Sequence, residues 1–115
     1  MNILYAEKDD YSYKLMETIL KDKHVLRRAE DGVEALESIT NNNFDLLMTT
    51  MQLPKMDGLK LIKEIRKFDK NLSIYVVSSL YLEDAVLEAY ASGADNYIKK
   101  PISVNYVKGV VDNLK

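Results

Sequence analysis

At 115 residues, with 47% hydrophobic and 30% charged side chains, the chain has the size and balance of a single soluble domain spanning residues 1–115. Its 16 basic and 18 acidic residues give a net charge of −2, no footprint for nucleic acid, and no apolar run approaches the roughly 18 residues of a membrane span. The absence of cysteine excludes disulfides, thiolate metal sites and cysteine nucleophiles, and the expected location is cytoplasmic.

The first apolar run, Ile3-Leu4-Tyr5-Ala6, is continuous rather than alternating, which predicts a strand covered on both faces. Tyr11, Leu15, Ile19 and Leu20 then recur at helical spacing and are expected to face a core. His24 to Ala29 predicts a weaker strand, and its Arg27 and Arg28 suit a place at or near a sheet edge. After the Asp31-Gly32 turn, Val33, Leu36 and Ile39 stripe a second helix. Phe44 with Leu46-Leu47-Met48 makes the third strand, and Leu59, Ile62 and Ile65 stripe the third helix. Ile74-Tyr75-Val76-Val77 is the fourth strand, followed by a helix lined by Val86 and Tyr90. Tyr97-Ile98 is the fifth, before a helix lined by Val104, Val107, Val111 and Leu114.

Strand and helix thus alternate throughout. That order implies right-handed crossovers and a parallel sheet: an α/β, flavodoxin-like (βα)5 doubly wound three-layer sandwich. Ligand sites in such folds lie at the carboxyl ends of the strands. Those ends carry Glu7-Lys8-Asp9-Asp10, Thr49-Thr50, Ser78-Ser79 and Lys99-Lys100-Pro101.

Common chemistries fail on these residues. The first turn has no glycine, so it cannot cradle a nucleotide phosphate on bare backbone. The sole histidine, His24, opens the second strand at the opposite end and reads as a surface or edge residue, not as part of a Ser-His-Asp triad. The acids after the first strand have no carboxylate partner after the third, which leaves no metal cluster.

One constellation does fit. The polar turn after strand one, Leu53-Pro54-Lys55-Met56-Asp57-Gly58, Ser78-Ser79, Gly93-Ala94-Asp95-Asn96-Tyr97 and Lys100-Pro101 occur in order at the right strand ends. Together they resemble the response-regulator receiver family across essentially the whole chain. The resemblance implies an acid pair after strand one and an aspartate ending strand three that hold Mg²⁺, the aspartate also accepting the phosphoryl group. It further implies a hydroxyl and a lysine binding the phosphoryl oxygens, and an aromatic switch residue three before that lysine. Mapped here, these are Glu7 for the first acid, Ser78, Lys100 and Tyr97.

Two positions depart. The second acid falls on Lys8 and the phosphoacceptor on Thr50, four residues before Pro54. One acid against two cations leaves the mapped pocket at +1. At an effective dielectric of about 20, like charges about 4 Å apart repel by roughly 4 kcal/mol, so Mg²⁺ binding is expected to be lost. Thr50 cannot form an acyl phosphate and has no adjacent base to activate it. Lys8 is expected to pair with Glu7 or Asp9 as a built-in replacement for the metal's charge.

The resulting expectation is a non-enzymatic, receiver-like signalling module of two-component type, a pseudo-receiver outside the phosphorelay chemistry, acting by protein–protein contact. By resemblance the contact face is the fourth helix, fifth strand and fifth helix, bearing Tyr81, Leu82, Leu87, Tyr90, Tyr106 and Val107. Partners would be other signalling proteins or a second copy, not nucleic acid or membrane. Two alternatives stand beside it. One is a phosphorylatable receiver, standing alone or cut from a longer regulator, using Asp9, Asp10 or Asp57, although Asp57 reads better as a helix cap. The other is a small-anion site formed by the +1 pocket with the Ser78 and Thr50 hydroxyls.

Overall fold

The computed structural model describes residues 1–80 and 82–114, so Tyr81 of the expected contact face lies outside the described residues. The strands are β1 (Asn2–Ala6), β2 (Val25–Ala29), β3 (Leu46–Thr49), β4 (Ser73–Ser78) and β5 (Asn96–Lys99). The helices are α1 (Asp10–Leu20), α2 (Gly32–Asn41), α3 (Gly58–Arg66), α4 (Glu83–Ser92) and α5 (Val104–Asp112). All strand pairs are parallel, in the order β2-β1-β3-β4-β5. This is the doubly wound order expected from the alternation, with β2 at an edge.

The continuous apolar runs divide by parity between two cores, as a pleated strand requires. Leu4, Ala6, Leu47, Ile74 and Val76 face Ala35, Ile39, Leu61, Ile62 and Ile65 from α2 and α3. Ile3, Tyr5, Leu46, Met48 and Val77 face Met16, Ile19 and Leu20 of α1 and Val107 and Val111 of α5. The register sets Leu4 beside Leu47 and Leu47 beside Ile74, so each core is continuous across the sheet.

Polar side chains start most of the helices. Asp9 accepts the Ser12 amide at 2.8 Å, Asp31 the Glu34 amide at 2.8 Å, Asp57 the Lys60 amide at 2.9 Å and Ser103 the Tyr106 amide at 3.3 Å. The N-cap of α4 is Leu82, which offers no side-chain acceptor.

Helical spacing overstated the stripes at the helix starts. Tyr11 is 74% exposed, and Val33 and Val104 are also open to solvent. These first-turn residues stand past the strand ends, where no sheet lies beneath them. Tyr90, expected to line the inside of α4, is exposed as well, and Ala89 is the buried residue of that helix. β2 begins at Val25 rather than His24, because the His24 amide still bonds the Leu20 carbonyl at 3.0 Å and closes α1.

Candidate functional site

The parallel register brings the ends of β1, β3, β4 and β5 to one rim. Glu7 follows β1 directly and its amide donates to the Ala29 carbonyl at 3.0 Å, which holds the residue against the sheet. Its carboxylate is buried, and a buried carboxylate needs partners. Lys100 Nζ donates to Oε1 at 2.6 Å, the Tyr5 hydroxyl donates to the same oxygen at 3.2 Å, and the Asp9 amide donates to Oε2 at 3.3 Å. Burial, and then the Glu7 charge, push the Tyr5 phenol far above its ordinary value.

Lys8 does not pair as expected. It points to solvent, and among the described residues no carboxylate lies within ion-pair distance of it. Lys100 takes that part instead, because the short β5–α5 loop places its ammonium directly over Glu7. Lys8 stands at the rim of an open groove with Met51, Leu53, Pro54 and Leu80.

Thr50 extends β3 by one residue, donating its amide to the Ala6 carbonyl at 3.1 Å. It is buried, and its own carbonyl accepts from Thr49 Oγ1 at 2.9 Å. Gly58 packs so closely here that a Cβ would stand 2.3 Å from the Thr50 carbonyl oxygen, and its amide donates to Met51 at 2.8 Å. A side chain at residue 58 would displace the Thr50 turn.

On the β4 side, Ser78 Oγ accepts the Leu80 amide at 3.0 Å, and the Ser78 carbonyl accepts the Lys100 amide at 2.9 Å. Tyr97 is 8% exposed, turned inward, with its hydroxyl donating to the Leu80 carbonyl. Leu80 is therefore held from both sides, by a hydroxyl of β4 and one of β5.

The structure thus brings Glu7, Thr50, Ser78 and Lys100 to one rim, with Tyr97 behind it and Lys8 at its lip. Sequence reasoning missed Arg28. Its Nε donates to the Glu7 carbonyl at 2.9 Å, Nη2 to the Lys8 carbonyl at 2.6 Å and Nη1 to Asp10 at 2.8 Å, clipping the β1–α1 loop to β2. The guanidinium also lies 5.1 Å from the Tyr13 ring centre. The signal was available: a flavodoxin-like order sets the end of β2 beside that loop.

The other acids are committed elsewhere. Asp9 caps α1, and its bonds from the Ser12 hydroxyl and amide hold its carboxyl below the usual range. Asp10 faces Arg28, and Asp57 caps α3. Among the described residues no group of three or more acids or histidines converges as a metal centre. His24 lies at the far end of the sheet, its ring 2.9 Å from Asp112 and 3.2 Å from the Met1 amino group. On the expected contact face, Leu82, Leu87, Tyr90 and Tyr106 are exposed, but Val107 is fully buried against the α1 side of the sheet and cannot take part.

A family model described as the response regulator receiver domain matches residues 3–112. The chain belongs to the response regulator receiver family. The receiver is 29% identical over 113 residues to the chemotaxis protein CheY of Halobacterium salinarum, covering 97% of this chain and 94% of the relative. It is 27% identical over 118 residues to the chemotaxis protein CheY of Pseudomonas aeruginosa, covering 99% and 95%. Among solved structures it superposes on the Francisella response regulator 1452 receiver domain with a TM-score of 0.91 at 30% identity, covering 98% and 94% of the two chains. The receiver thus belongs to two-component signalling. Among the described residues, no helix is long and apolar enough to cross a membrane.

Proposed function

We propose that this receiver transmits signals by protein–protein contact alone, as a pseudo-receiver whose strand-end pocket takes up neither Mg²⁺ nor a phosphoryl group. The observation that carries this reading is Thr50, a neutral buried hydroxyl, at the end of β3 where the family's phosphoacceptor aspartate maps. A threonine hydroxyl is no anion near neutral pH, and among the described residues no general base is bonded to it.

The donor set does not fit a hard divalent cation, which needs anionic oxygen ligands free to turn toward it. Glu7, among the described residues the one buried acid of the pocket, is already bonded by Lys100, Tyr5 and the loop amide. Lys8 adds a second positive charge at the lip. An arriving dication would have to displace Lys100 and meet Lys8, with no third carboxylate in return. No step of the function runs through a metal, and no catalysis is assigned.

The alternatives lack support by comparison. Asp9, Asp10 and Asp57 serve as a cap, an Arg28 partner and a cap, so none is poised to accept a phosphoryl group. A small anion would need Lys100, whose ammonium is given to Glu7.

Contact then falls to the exposed face of α4 and α5, where Leu82, Leu87, Tyr90 and Tyr106 present apolar and aromatic surface. Partners are other signalling proteins or a second receiver. Tyr97 is locked inward on Leu80, so this face is held in one arrangement until a partner binds it differentially.

Intact-mass spectrometry after incubation with acetyl phosphate and Mg²⁺ tests the proposal. The mass is expected to stay unchanged; a single phosphoryl adduct would overturn the reading and peptide mapping would locate the acceptor.

A further inference from the structure

Charge is segregated between two neighbouring helices. On α3, Lys60, Lys63 and Lys67 stand on one solvent-facing ridge, opposite the buried Leu61, Ile62 and Ile65, and Lys70 is exposed in the turn beyond. Among the described residues Glu64 alone answers this ridge, at 3.4 Å from Lys60 and 2.7 Å from Lys67. The sequence from Asn71 to Ile98 contains no lysine or arginine, and α4 within it exposes Glu83, Asp84 and Glu88. The two helices lie side by side on the same face of the sheet, tied by Arg66 Nη2, which donates to the Gly93 carbonyl at 2.8 Å and to Asp95 at 3.1 Å.

We propose that the α3–α4 face is a docking surface for a second copy of this chain, the basic ridge of each copy lying on the acidic α4 of the other. The pattern is self-complementary under one two-fold operation. An axis parallel to the helices and between them lays α3 on the partner's α4 twice over, whereas an axis crossing the helices lays lysine on lysine. Opposed charge of this kind fixes register and excludes the wrong arrangement. α2, on the other flank of α3, is also acidic through Glu34 and Glu37, but among the described residues its exposed large apolar side chain is Val33 alone. The α4 side offers Leu87 at 57% and Tyr90 at 43% exposure, with Phe68 at 56% beside the lysines, so the apolar surface selects α4.

Helices of 9 and 10 residues are each about 15 Å long and cover much less than the roughly 800 Å² per partner of a stable interface, which makes this a weak dimer. The inference goes beyond the α4–α5 contact face proposed above: it adds a second face, α3–α4, with a second copy as its occupant. Its failure would leave the inert-pocket reading intact, because the acetyl phosphate experiment reads that separately.

Amide NMR of the whole chain across a concentration series tests it. At about 0.01 M salt, where charges act over about 30 Å, concentration-dependent shifts are expected on α3 and α4 and not on α1 or α5. In about 1 M salt, with screening at about 3 Å, they are expected to disappear. Lys63→Glu with Lys67→Glu, and separately Asp84→Lys with Glu88→Lys, should each abolish the shifts while the spectra stay folded. An equimolar mixture of the two variants should restore them, since each then meets its opposite charge in both contacts. Absence of concentration dependence, shifts confined to α5, or a mixture that stays monomeric would each overturn the proposal.

Discussion

Lys100 and Glu7 set the electrostatics of the pocket, and they are unequal partners. Glu7 is buried on every side, whereas the Lys100 side chain keeps 25% of its surface exposed. Removing the lysine strands a buried carboxylate; removing the acid leaves an amine that can swing to solvent. Lys100→Met is therefore expected to cost about 2 kcal/mol in urea unfolding, below the roughly 3–5 kcal/mol of a fully enclosed pair. Glu7→Gln, whose amide oxygen still accepts from Tyr5, should cost under about 1 kcal/mol. Equal losses would mean that burial of Glu7 is not what the lysine compensates. The converse experiment restores acids: Lys8→Asp with Thr50→Asp should create a saturable Mg²⁺ isotherm where the parent gives none, and an unchanged flat titration would contradict the charge argument. The rim itself was legible in the sequence, because strand ends can be read from the apolar runs, and the resemblance to receivers then singled out Glu7, Thr50, Ser78 and Lys100 among the residues there. The identity of the partner was not. Lys8 and Lys100 carry the same charge, and only the paths of the β1–α1 and β5–α5 loops decide which ammonium reaches Glu7.

Among the elements, α4 is the least anchored. It has no side-chain N-cap and buries only Ala89, whereas α1, α2, α3 and α5 each begin on a side-chain acceptor. Its amides are expected to exchange with deuterium fastest of the five helices. Leu82→Asp, at a backbone of φ −64 and ψ 142 that suits a cap, should stabilise the domain by about 1 kcal/mol and slow that exchange. Unchanged exchange would show that fraying at this end does not limit the helix. The same comparison explains what periodicity could and could not reveal. Continuous apolar runs located β1, β3, β4 and β5 to within a residue or two, because a strand buried on both faces tolerates no polar interior, whereas the edge strand β2, with Arg27 and Arg28 inside it, gave a weaker signal. Helical stripes were less faithful. Tyr11, Val33 and Val104 obey the spacing but stand in first turns beyond the sheet, and spacing carries no information about where the sheet ends.

Across the whole molecule, stability is expected to be limited at both extremes of pH. The folded Asp9, Asp31 and Asp112 carboxyls lie below their ordinary value, through bonds from Ser12, from the Glu34 amide and from His24 respectively. Their contribution is complete above about pH 4 and is lost as the pH falls through the folded values. Tyr5 lies above its ordinary value, by burial and then by the Glu7 charge, so its contribution is complete below about pH 10 and is lost as the pH rises. Urea midpoints should be level between about pH 5 and 9 and fall on either side, with Tyr5→Phe reducing the alkaline fall. A variant that fell as steeply as the parent would place the alkaline sensitivity elsewhere. The fold, by contrast, follows from the alternation of runs and stripes, and the family's order of strands follows from the fold. What the domain does rests on the pocket, and one measurement addresses it most directly: the amide spectrum with and without Mg²⁺ and beryllofluoride, a mimic of the phosphoryl group. No shifts are predicted around Lys8, Thr50, Ser78 and Lys100. Shifts there that propagate to Tyr97 would show a working phosphorylation switch and contradict this account.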